Sequence, residues 1–138
     1  MFIPCVIKRF FIMAFSKQQR EKIHLKYSGK CAYCGCEITV PKMQVDHIIP
    51  QREFSNRIKN KFRIPYFLTH LTEFDVNNED NLNPACVVCN KWKSAHDLEL
   101  FRSELFEQIK RLNFYSSNYR IAKRYGLLEE TLKGTTVE

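Results

Sequence analysis

Two Cys-x-x-Cys pairs, Cys31/Cys34 and Cys86/Cys89, bracket an Asp46-His47 dipeptide and Asn81, and Asn90 follows the second pair directly. Each short turn aims two thiolates at one point, so the two pairs supply the four sulfurs of a tetrahedral zinc site. Such a zinc closes residues 35–85 into a loop much longer than the gap of a simple zinc ribbon. The ion is then a clamp, and the chemistry belongs to what the loop contains. His47 suits that role, because an imidazole titrates near neutral pH and can take a proton from water. Cys36 competes with Cys34 as a donor, with the spacing favouring Cys34, and Cys5 stands apart.

The elements that must position these residues are partly legible. Ser16 can cap a helix over about Lys17 to Tyr27, and Gly29 is placed to end it in a left-handed conformation just before Cys31. Alternation over Glu37–Val40, then Pro41, then a second apolar-polar run over Met43–Ile49 predicts a short hairpin with Asp46 and His47 in its second strand. On a regular strand those two neighbours point to opposite faces. Residues 51–80 read as an insertion, first basic and aromatic, then acidic and Asn-rich. Asn90-Lys91-Trp92-Lys93 opens a short helix. Leu98, Phe101, Leu105, Ile109 and Leu112 recur behind the cap Asp97, which predicts a helix over about 98–113 with that stripe in the core. A last helix covers about Ser117–Tyr125 and stops at Gly126. The organisation is a dispensable extension over 1–15, with Met13 as an alternative start, one domain over 16–126, and a tail over 127–138.

Charge points the same way without deciding the matter. Lys and Arg number 22 against 15 Asp and Glu, a formal charge of +7. Lys8, Arg9, Lys17, Arg20, Lys22, Lys26 and Lys30 face only Glu21 in the first stretch, and Arg52, Arg57, Lys59, Lys61 and Arg63 face only Glu53 in another. Basic stretches of this kind suit a polyanion, most simply nucleic acid, or else a solvated surface. The apolar start is broken by Lys8 and Arg9 and has no small-residue cleavage site, so neither a secretion signal nor a membrane span is read. A cytoplasmic setting follows, in which paired cysteines bind metal in preference to bonding each other.

Taken in order, CAYC at 31–34, VDHIIP at 45–50 and NLNPACVVCNKWK at 81–93 resemble the zinc-containing HNH endonuclease family, whose members carry CxxC, DHIxP and NLxxxCxxCNxxK. The resemblance covers residues 25–102. It implies an α+β fold, with a small ββα-metal (His-Me finger) nuclease core, a four-cysteine structural zinc and flanking helices. The implied activity is hydrolysis of DNA phosphodiester bonds, His47 being the general base that aims hydroxide at phosphorus. Asp46 and Asn90 would hold a catalytic Mg2+ or Mn2+, which stabilises the phosphorane and the departing 3′ oxygen. Asn81 matches the central Asn, expected to bond near His47 and fix its ring. Asn90 stands where the family often has His, an HNN variant, which argues against zinc as the catalytic ion.

The resemblance also places Lys93 at a position that contacts phosphate, while Arg52, Arg57, Lys59, Lys61 and Arg63 would track a nucleic-acid backbone electrostatically. The implied partner is double-stranded DNA, with accessory proteins of the same operon, in a prokaryotic or phage-type cytoplasm where restriction or phage defence are among the settings. The alternative is a non-catalytic zinc-stabilised nucleic-acid-binding module, and a thiol redox protein is a more distant one. Asn81 also reads as a turn residue and Asn90 as a helix cap. His24, His70 and His96 read as structural or exposed.

Overall fold

The computed structural model describes residues 14–55 and 62–131, so the expectations for the first thirteen residues, for Arg57, Lys59 and Lys61, and for residues 132–138 lie outside the described residues. Ser16 starts helix α1 (Lys17–Leu25) through a capping box, its hydroxyl accepting from the Gln19 N–H while the Gln19 side chain accepts from the Ser16 N–H. Gly29 ends the turn that follows. Its φ is +78°, and a Cβ there would meet the His24 ring at 3.2 Å, so glycine is needed on two counts. His24 is tied into this turn, its Nε2 lying 2.7 Å from the Ile38 carbonyl.

The predicted hairpin does not form. Strand β1 (Gln44–His47) pairs instead with β2 (Leu82–Ala85), antiparallel, with Asp46 opposite Asn83 and His47 opposite Leu82. The reason lies in the segment expected to be its partner. Glu37 bridges back to Lys30, the Ile38 N–H donates to the Gly29 carbonyl, and the Thr39 carbonyl accepts from both Lys42 and Met43. Those bonds fold residues 37–42 onto the end of α1 and leave the edge of β1 for β2. Pro84 is tolerated in β2 because a two-stranded sheet has only edge strands.

Strand alternation divides the sheet between two cores. Val45 and Leu82 join Ile23 and Met43 on the α1 side. On the other side Tyr33, Ile48, Ile49, Ala85, Leu98 and Phe101 form the larger core, and residues 51–80 add Phe54 from α2 (Gln51–Ser55) and Leu68 from a 3-10 turn at Tyr66–Leu68. Cys86 caps α3 (Val87–Lys93), which therefore starts earlier than Asn90. Asp97 caps α4 (Leu98–Tyr115) and Ser116 caps α5 (Ser117–Arg124). The α4 stripe leaves the core along its length: Leu98 and Phe101 are buried and Leu105 packs against them partly buried, whereas Leu112 is 39% exposed because α4 runs on past the packed centre with α5 beside it. The described chain is thus α+β, helices around a small antiparallel pair. No described helix is long and apolar enough to cross a membrane.

Candidate functional site

The sulfurs of Cys31, Cys34, Cys36 and Cys86 all lie within 4.8 Å of one another, and Cys34 and Cys86 are 3.9 Å apart. A tetrahedron with Zn–S bonds of about 2.3 Å has edges of about 3.8 Å, so the cluster can close on a metal ion such as zinc with small shifts. Its first half is made by a tight turn. Gly35 (φ +74°) reverses the chain, its N–H donates to the Cys31 carbonyl at 3.0 Å, and the Cys31 N–H donates to the Cys36 carbonyl at 2.8 Å. Cys36 is thereby set across from Cys31. The second half is the N-terminus of α3, where Cys86 Sγ accepts from the Cys89 N–H at 3.4 Å. The group of four thus takes Cys36 where spacing took Cys89, whose thiol bonds to Cys86 and Cys34 at the margin.

The thiols hold one another in unequal protonation states. Burial works against ionising Cys34, but hydrogen bonds from the backbone and thiol of Cys36, and from Cys89 and Cys31, bring it down to about 7. Cys36, bonded to Cys34 and partly desolvated, is pushed up to about 12. Cys89 is raised by burial and by its bonds to Cys86 and Cys34. A cation that binds here displaces these shared protons.

Asp46 and His47 part company on β1, as alternation requires. Asp46 is buried on the α3 side, with Lys93 Nζ at 3.0 Å and 3.3 Å from its two oxygens and the Tyr33 hydroxyl donating to one of them. Lys93 is fully buried and also donates to the His47 carbonyl at 3.0 Å. Burial raises the Asp46 carboxyl above the usual range, against the opposing pull of Lys93 and Tyr33. Burial, then the charge of Asp46, pushes the Tyr33 phenol well above its ordinary value. Two expectations change here. Lys93 is no phosphate contact on an open surface but the internal counter-ion of Asp46. The joint role of Asp46 and Asn90 as ligands of Mg2+ or Mn2+ does not fit either, because a hard cation at that carboxylate would lie against a buried ammonium. Asn90 is half-buried one helical turn before Lys93, and so on the same side of α3.

His47 faces the other way, half-buried near Phe15. Its Nε2 lies 2.9 Å from Asn77 Oδ1, and the contact to Gln51 is a longer 3.5 Å. Asn81 does not reach the ring. It is fully buried and grips backbone instead, accepting from the Ile49 N–H at 2.8 Å and donating to the Ile49 and Val76 carbonyls at 3.1 and 2.9 Å. Asn81 thus fixes the chain just after His47, and Asn77 fixes the ring. Asn81→Ala should cost about 2 kcal/mol or more in urea-monitored unfolding, since it strands two buried backbone groups at Ile49, at ~1–3 kcal/mol each, and a part-buried carbonyl at Val76; a loss under about 0.5 kcal/mol would remove Asn81 from this role.

Several of the described bases have partners within the fold. Lys22 pairs with Glu79 at 2.7 Å, Lys26 donates to the Glu79 and Leu82 carbonyls, and Arg20 donates to the Val40 and Met43 carbonyls, so these bases tie α1 to the loops that carry the strands. Arg52 is exposed and pairs with the buried Glu53, and Arg63 is exposed beside α4. His70 pairs with Asp80 at 2.9 Å, and His96 is half-buried.

Sequence reasoning passed over Tyr33, Asn77 and the internal role of Lys93. Only Asn77 carried a signal, as an amide in a loop that had to return toward β2. No family model, curated protein or solved structure matches the chain.

Proposed function

We propose that the chain is a small HNH-type endonuclease of the ββα-metal kind, clamped by one structural zinc, with His47 as the general base that activates water against a DNA phosphodiester. The observation that carries this reading is the fixed imidazole. Asn77 Oδ1 at 2.9 Å calls for a proton on Nε2, which leaves the Nδ1 lone pair to accept one from water. The strand beneath the ring is held by β2, by Lys93 at the His47 carbonyl and by Asn81 at Ile49. Such immobilisation is what a base needs to aim hydroxide. Arg52, on the helix directly after β1, and Arg63 offer exposed positive charge for a phosphate backbone.

One observation favours a second reading, a zinc-stabilised nucleic-acid-binding module without cleavage: the carboxylate that would hold a catalytic ion is closed by Lys93. Plasmid nicking in Mg2+ or Mn2+ separates the two. Cleavage by the wild type should fall about 10²–10⁴-fold in His47→Ala, the range for loss of a general base, while DNA retention in a mobility-shift gel persists. Undiminished nicking by His47→Ala ends the base assignment, and DNA binding without nicking by the wild type selects the module.

A further inference from the structure

Five thiols converge where four ligands suffice. Cys36 lies within 4.8 Å of Cys31, Cys34 and Cys86, while the Cys89 N–H donates to Cys86 Sγ at 3.4 Å and its thiol hydrogen-bonds with Cys86 and Cys34. The same two sulfurs, Cys34 and Cys86, are therefore neighbours of both Cys36 and Cys89. Cys36 approaches from the exposed side of the Gly35 turn, while Cys89 approaches from the first turn of α3 beside the apolar cavity of about 200 Å³ lined by Val88, Trp92 and Leu105.

We propose that this is a five-donor metal site: Cys31, Cys34 and Cys86 are fixed ligands, and the fourth position is shared between Cys36 and Cys89. The inference rests on the zinc clamp of the preceding reading and goes beyond it. Zinc has no geometric preference from its d electrons and accepts any tetrahedral set of thiolates, so either Cys36 or Cys89 would complete a set with Cys31, Cys34 and Cys86. An exchange would replace one Zn–S bond by another, the entering thiol giving up a proton and the leaving thiolate taking one up. The consequence is a clamp whose fourth ligand lies in the knuckle turn in one state and in α3 in the other. The first state leaves the α3 thiol free, and the second leaves the knuckle thiol free.

The full-length chain tests this through metal binding, with no reference to nuclease activity. Cys36→Ser and Cys89→Ser should each keep one zinc per chain and, after cobalt replacement, the absorption of a four-thiolate tetrahedral site. The double variant should retain three thiolates and lose affinity by more than the ~10–100-fold that an outer-shell change costs. Brief alkylation of the zinc-loaded wild type, mapped by peptide mass, gives a second measurement that needs no variant: adducts should fall on Cys36 in some molecules and on Cys89 in others. Loss of zinc in one single variant, with no change in the other, overturns the sharing and leaves an ordinary four-ligand clamp. Adducts confined to one of the two cysteines do the same. Zinc-free wild type overturns the inference and the clamp together, whereas failed nicking with an intact five-donor pattern would touch only the nuclease reading.

Discussion

Stripping the proposed zinc from the purified chain with a strong chelator should unfold it, and Cys86→Ser should arrive unfolded, with helical circular dichroism and amide dispersion both lost. The reason lies in how much a metal would add to the cores and the short ladder that hold the loop. The strands that meet across it are short, and among the described residues only β1 and β2 pair as strands. Cys31 sits in the larger core, with Cys86 and Cys89 packed against it. Ordering the loop between the knuckles costs closure entropy that a metal bond offsets and a handful of ladder hydrogen bonds does not. Structural zinc contributes ~10–16 kcal/mol of apparent binding energy in peptides that fold around it, comparable with the whole ~5–15 kcal/mol stability of a domain. Without a cation the thiols crowd together over shared protons, Cys36 being driven up to about 12 by its bond to Cys34. A zinc-free protein with an unchanged melting curve would show the cluster to be incidental to folding.

What the sequence disclosed and what it hid follow the range of the interactions. The start of α1, the cap Asp97 and the stop at Gly29 are set within a few residues, and each was legible from its own neighbourhood. The partner of β1 was not, because Leu82–Ala85 reaches it only across the folded loop, and hydrophobic alternation says which face a strand buries but not which strand lies beside it. Cys36 was legible as a competing donor that spacing disfavoured, while the Gly35 turn that swings it back toward Cys31 is a matter of backbone geometry. Asp46 and His47 were legible as neighbours on opposite faces. Their partners, Tyr33 and Lys93 for one and Asn77 for the other, come from three separate segments that nothing local announces.

Lys93→Met should destabilise the chain by about 3–5 kcal/mol, because it leaves the Asp46 carboxylate buried without its counter-ion. Asp46 would keep only the Tyr33 hydroxyl, itself a group that burial and the nearby charge push far toward the protonated form. The companion Asp46→Leu in the Lys93→Met background removes the stranded charge, so the double variant should recover most of the loss even though the His47 carbonyl still lacks its donor. Urea-monitored unfolding of the wild type, the two singles and the double closes that cycle; additive losses would show that the pair is not coupled. The pH dependence has a definite sign. Asp46 in the fold has a carboxyl raised above its unfolded value, chiefly by burial, and losing Lys93 raises it further. Between the unfolded and folded values the folded chain binds the extra proton, so stability there rises as pH falls, and the deficit of Lys93→Met should narrow on acidification. If instead the deficit is constant with pH, the cost comes from lost packing of the lysine stem and not from a carboxylate abandoned in the core.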